Sequence, residues 1–358
     1  FTLWGEHPGS LMLVINFLSM VWLFHRIVVG QRTSVLWYPA VAVLFGASLY
    51  VRQNFMVFPV IALILSVIVF TVLYVRDGTW RFNAFVVPLI YVIGLFALTP
   101  WSMALSNHLG GFRVAPISQD LSLAIHYGKP RLMPRVKGVI RERIAAEGKS
   151  GGYSERMLKG NTFLVVHRAA RIQAETGGRP LLDIYEEYRR YALEGLTAQH
   201  VLHRVKDAWQ RFLFEAGTFS PRFFDNRTWG LETTEFQRVW MRDAHLAIFI
   251  GAFTLSLAVA ILPFWGSLSQ QLMVIAFKGT FCFACLQPFV HRTIARHHLF
   301  VVPLMVLGAL LLFRECHRVV TKSSYSDMAG AEQSLFFAQA AGGLVVLAVA
   351  LVIAFCPA

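Results

Sequence analysis

The sequence predicts an all-α polytopic membrane protein, with about eight transmembrane helices in two blocks of four around a basic helical extramembrane domain. Three observations predict it. Hydrophobic residues make up 56% of the 358 and the mean hydropathy is +0.54, which is too apolar for an ordinary soluble domain. Apolar runs of roughly 20 residues, the length that crosses about 30 Å of hydrocarbon, recur along the chain. A long charged stretch divides those runs into two groups.

The first block, 1–105, holds runs at 10–28, 35–51, 56–75 and 84–105, separated by short turns that carry Arg26, Arg32, Arg52, Arg76 and Arg81. The first run lacks a basic start and a small-residue cleavage site, so it is expected to be a span rather than a cleaved signal peptide. Because the chain begins at Phe1, a few leading residues are expected to precede it. The last block, 244–358, holds runs at 246–264, 270–290, 299–313 and 335–355. The third of these is short and is expected to be tilted, re-entrant or extended by its flanks.

Between the blocks, 106–243 reads as a separate domain. Lys and Arg outnumber Asp and Glu there by 22 to 15, which supplies over half of the net charge of +13. Its periodicity is helical. Val201, Leu202, Val205, Ala208, Trp209, Phe212 and Leu213 recur at three- and four-residue spacing within 196–214, while Arg204, Lys206, Asp207 and Arg211 fall elsewhere. Shorter helices are expected at 162–176, closed by Gly177 and Gly178, and at Leu181–Leu193, ended by Gly195. Thr233 and Thr234 are good N-caps for a helix through Phe236, Val239 and Trp240 that runs into the fifth span.

The densest charge lies in "KPRLMPRVKGVIRER", where Lys129, Arg131, Arg135, Lys137, Arg141 and Arg143 face one acidic residue, Glu142. One reading is a surface for anionic lipid or acidic protein segments; the other is a solvated helix face. Nucleic acid is the least supported partner, for no aromatic-interleaved basic motif accompanies the charge.

Inside the sixth run, "VIAFKGTFCFACLQP" puts Lys278, Cys282 and Cys285 on one helical face, with Gln271 two turns earlier. An unpaired ammonium at that depth costs about 2.5–3.5 kcal/mol, so it is expected to meet protein or water. No Asp or Glu lies in another run. Its partner is therefore a backbone carbonyl, a polar side chain such as Asn16, a lipid phosphate or another subunit. The cysteines read as small residues at a helix contact rather than a redox or zinc pair. Cys282, Cys285, Cys316 and Cys356 imply no disulfide framework.

Other patterns are incomplete. "GKSGG" at 148–152 lacks the glycine that a phosphate loop needs at the place of Arg143. His200 and His203 have helical ligand spacing, but no set completes them. His291, His297 and His298, like His25 and His245, fall at span ends, where interfacial placement is the simpler account and haem ligation or proton transfer the alternative. The sequon at Asn226 matters only in a lumenal domain. Neither a catalytic set nor a metal or other cofactor is predicted.

Orientation does not follow from charge. Short-loop Lys and Arg number seven on one side and three on the other, and Arg113, Arg227, Arg238 and Arg242 in the domain's flanks even the count. A basic domain beside an anionic inner leaflet favours a bacterial inner membrane with the domain cytoplasmic.

The segments "TPWSMALSN", "FLVVHRAARIQAETGG" and "HRVKDAWQRFLFEAGTFSPRFF" together resemble the membrane subunit of the coupling complex in type IVB secretion and conjugation systems. The resemblance covers about a third of the chain. It implies membrane helices followed by a basic helical domain that recruits substrates. The family's "LWY" and "GRQT" signature is replaced here by "FQRVWMRD", and the four later runs are a further departure, so no functional residue is carried over. The expected function is that of a non-enzymatic subunit of a larger membrane assembly, partnered by other membrane subunits, anionic lipids and acidic protein segments. The alternative is a membrane enzyme or transporter for a lipid or anionic metabolite, using Lys278, His291, His297 and nearby arginines.

Overall fold

The computed structural model describes residues 6–51, 53–113, 117–147, 155–159, 162–215, 235–286, 289, 296–320 and 330–355, and the regular structure among them is entirely helical. In chain order the helices are α1 (Glu6–Val29), α2 (Trp37–Val51), α3 (Phe58–Asp77), α4 (Val86–Leu95), α5 (Thr99–Leu109), α6 (Ile117–Glu147) and α7 (Thr162–Gly177). They continue with α8 (Leu181–Leu193), α9 (Ala198–Gln210), α10 (Glu235–Ile261), α11 (Leu268–Ala284), α12 (Arg296–Val320) and α13 (Gly330–Phe355). Helical stretches at Pro8–Val29, Phe55–Asp77, Phe82–Leu109 and Gln333–Phe355 are long and apolar enough to cross a bilayer. Trp37–Val51 and Leu246–Ile261 are apolar but shorter.

The chain forms two compact units. Unit 1 comprises Phe1–Ala97, Trp209–Gln287 and Thr293–Pro357; unit 2 comprises Leu98–Ala208 with Pro288–Arg292 and Ala358. The apolar helices from both ends of the chain therefore belong to one body, with α1 and α3 packed on helices of the later group as well as on their own neighbours. The polar unit occupies 98–208, where the sequence reading set 106–243. Leu109 of α5 joins the core of unit 2, while Trp209 and Phe212 stack edge-on with Phe253 inside unit 1. An amphipathic pattern shows that a face is buried but not in which core.

In unit 1, close backbone approach replaces bulky interdigitation at the tightest contacts. A Cβ on Gly94 of α4 would lie 2.8 Å from the Ala42 carbonyl oxygen of α2, and one on Gly343 of α13 would run into the Ile261 carbonyl oxygen. Small residues at such crossings are the packing currency of helices that gain little from excluding lipid. The outer surface is apolar: on α13 alone Leu344, Val345 and Val352 are exposed. Patches of that kind are tolerated where the solvent is lipid.

Unit 2 is built around α6, which packs against α7 and α8. Its core holds Leu132, Val136 and Ile140 of α6, Val165, Val166 and Ala169 of α7, and Ile184, Tyr185 and Tyr188 of α8. Gly128 lets α6 meet the backbone of Ala192. The helices end where the sequence predicts: Gly178 closes α7 at φ +60° and Gly195 follows α8 at φ +70°. Pro130 and Pro134 lie inside α6 without ending it.

Candidate functional site

Two loci draw together the residues singled out by the sequence. The first, in unit 1, begins where α10 stops. Pro263 disfavours helical backbone at Leu262 and supplies no N–H, so α10 ends at Ile261 instead of reaching Phe264 as expected. The chain then runs without helix through Leu262, Pro263, Phe264, Trp265 and Gly266 to Ser267, the N-cap of α11.

Polar side chains from three helices satisfy this backbone. Lys278 Nζ donates to the Leu262 carbonyl at 2.6 Å, with the Phe264 ring 5.9 Å away. The Phe264 N–H donates to Gln339 Oε1 at 3.3 Å, and Gln339 Nε2 donates to the Phe264 carbonyl at 3.4 Å and to Gln271 Oε1 at 3.3 Å. Gln271 Nε2 donates to the Gly266 carbonyl at 3.0 Å. Arg318 Nη1 donates to the Trp265 carbonyl at 2.6 Å, while its Nη2 holds Glu315 at 2.6 Å. The Ser267 N–H donates to Gln270 Oε1 at 3.3 Å, completing a capping box, and Trp265 stacks on Phe336 with ring centroids 4.0 Å apart. Lys278 lies nearly three turns into α11, about 15 Å along the axis, and Gln339 lies at a similar distance into α13. This is irregular backbone well inside two apolar helices, a condition that lipid tolerates only when protein groups take up the hydrogen bonds.

The expected polar stripe thus has a definite use. Gln271 and Lys278 reach the same unwound segment, and the lysine's partner is a backbone carbonyl. Asn16 does not serve it: its Nδ2 donates to the Met12 carbonyl, and its backbone carbonyl accepts from the Tyr91 hydroxyl. Cys282 and Cys285 are free thiols and half-buried. Sequence reasoning missed Gln339, Glu315 and Arg318. The signal for the first was a lone glutamine within an apolar run, and for the segment itself, "PFWG" following one.

The second locus is the basic face of α6 in unit 2. Arg131 and Arg135 both lie over the Tyr191 ring, at 5.2 and 4.5 Å, and pair with Glu194 and Glu187 of that helix and its end. Glu187 also accepts from Arg179 at 2.9 Å, and the hydrogen bond from Arg179, with Arg135 beside it, holds its carboxyl below the usual carboxylate range. Arg143 pairs with Glu147 one turn on. Three of the six cations are therefore neutralised within unit 2. Lys129 and Arg141 are exposed and Lys137 half-exposed, with no acidic partner among the described residues. Helical geometry spreads these three over about 120° of α6 and about 18 Å of its length.

Nearby histidines have structural partners. His200 Nε2 donates to the Tyr127 carbonyl at 2.9 Å, and the Tyr127 hydroxyl donates to Phe289 at 2.6 Å. His167 meets the Tyr185 hydroxyl. Burial, with Arg171 and His108 nearby, keeps His167 below the usual histidine range, and burial pushes Tyr185 up to about 12. No group of three potential metal ligands occurs among the described residues. The stretch at 148–152, Asn226, Thr233, Thr234, His291 and Cys356 lie outside the described residues, as do the side chains of His245, His297 and His298.

No family model, no curated protein and no solved structure matches this chain.

Proposed function

We propose that the chain is a non-enzymatic integral membrane subunit of a larger assembly, a secretion or conjugation machine of the kind its sequence resembles. Its basic helical unit contacts acidic protein segments or anionic lipid. All eight apolar segments cross the membrane in this reading. α10 and α12, at 27 and 25 residues, have the length for it at about 1.5 Å per residue, and α2 and α11 need their flanks. The basic unit lies on the cytoplasmic face of an inner membrane, where anionic lipid headgroups are abundant.

The observation that carries the reading is the residual charge on α6. Lys129, Lys137 and Arg141 remain after the ion pairs within unit 2 are accounted for, and they form an array rather than a point. The rival use of Lys278 in turnover or transport is weakened by its bond to the Leu262 carbonyl.

Purification of the tagged chain in a mild detergent, followed by native mass spectrometry, tests this. The expected result is a complex with other membrane subunits at fixed stoichiometry, from which the triple variant Lys129→Glu, Lys137→Glu, Arg141→Glu loses a component or its anionic lipid. A stable monomer that turns over a substrate would overturn the proposal.

A further inference from the structure

The ammonium of Lys278 is incompletely served. It carries three N–H groups. One is taken by the Leu262 carbonyl; the Phe264 ring centroid is 5.9 Å away, and no carboxylate pairs with it among the described residues. The residue is not fully enclosed. Lys278 and Cys282, one turn apart on α11, are half-buried, and Leu286 just beyond the helix and Leu262 at the break are exposed at 49% and 47%. The result is a narrow apolar strip with a single positive charge, nearly three turns from the start of its helix. A lone charge facing hydrocarbon is costly, and a small thiol beside it leaves room for close approach by another helix.

Resting on the reading of the chain as an assembly subunit, we infer that this strip receives a transmembrane helix of a partner subunit bearing an Asp or Glu within its apolar span, whose carboxylate pairs with Lys278. Charge complementarity selects this occupant. A second copy of this strip would bring two ammonium groups together, and a neutral apolar helix would leave the remaining N–H groups unserved. A carboxylate neutralises the charge and accepts those donors together.

The full-length chain is reconstituted in phosphatidylcholine vesicles with a synthetic polyleucine transmembrane peptide carrying one central Glu, or with its all-Leu counterpart. Energy transfer between labels on peptide and protein reads association. The Glu peptide is expected to associate about tenfold more tightly, the size of one interhelical polar contact in a bilayer. Lys278→Arg keeps the preference and Lys278→Met loses it. Leu286→Trp, which crowds the strip and leaves the Lys278 bond to Leu262 in place, weakens association of the Glu peptide.

Equal association of the two peptides with the wild-type chain overturns the inference, as does a Glu preference that survives Lys278→Met. Loss of the preference when phosphatidylglycerol is added assigns the lysine to lipid phosphate and overturns it too. Fixed-stoichiometry partners in the purification together with no Glu preference would leave the assembly role standing and remove this site alone.

Discussion

Units 1 and 2 solve the same problem, holding helices together, by opposite distributions of polar and apolar atoms. Unit 2 has an aliphatic and tyrosine core ringed by Arg–Glu pairs at its rim. In unit 1 the surface is apolar, the tightest crossings rest on glycine, and charged or amide side chains point inward onto a break in α10. Where water is the solvent, excluding apolar surface drives packing and ions stay outside. Where lipid is the solvent, close contact and satisfied backbone groups take over.

The sharpest break in that comparison is expected at Gly343. Gly343→Leu places a side chain against the Ile261 carbonyl and forces α13 away from α10, so detergent extracts should yield no monodisperse protein by size-exclusion chromatography. Next in size is an asymmetry between two leucines. Leu132→Ala, in the core of unit 2, should cost about 2–5 kcal/mol in denaturant titration followed by circular dichroism. Leu344→Ala, 66% exposed on α13, should leave the unfolding midpoint nearly unchanged. A comparable loss at both positions would mean that the exposed face of α13 is covered by protein.

Gln339→Leu probes the polar interior of unit 1. It leaves the Phe264 N–H and carbonyl unpaired, at about 1–3 kcal/mol for each buried group, and thermal unfolding in detergent should report the loss. A gain in stability would show that the break is satisfied by other groups.

Two pH effects, smaller still, belong to unit 2. His167 binds its proton less readily folded than unfolded, so the unfolded chain holds more protons below the ordinary histidine value of 6.5. Stability should be complete above that value and decline as pH falls below it, and His167→Gln should flatten the decline in melting temperature. Glu187 has the same sign in a lower pH window, here because its charged form is the one favoured by folding. Its folded carboxyl titrates below the ordinary value, so its contribution is present above the carboxylate range and vanishes as pH falls through its own lower value. Its side chain is about a third exposed, and the pairs with Arg135 and Arg179 should be worth about 0–1 kcal/mol at neutral pH. Melting of Glu187→Gln should therefore converge with wild type in acid.

By itself the sequence determined the helical class, because hydrophobic periodicity and run length are local properties of the chain. It placed α7, α8 and the apolar helices, and it marked Lys278 as a residue that needed a partner, since the cost of a bare ammonium in hydrocarbon is independent of the fold. It also marked the α6 cations as a group. The tertiary structure alone decided that the two apolar blocks form one unit, and that Arg131, Arg135 and Arg143 are already paired while Lys129, Lys137 and Arg141 have no acidic partner among the described residues. It alone brought Gln339 and Arg318 to the same short segment as Lys278. Those contacts join residues far apart in the chain, and which distant carbonyl a side chain reaches depends on helix crossings that no local pattern records.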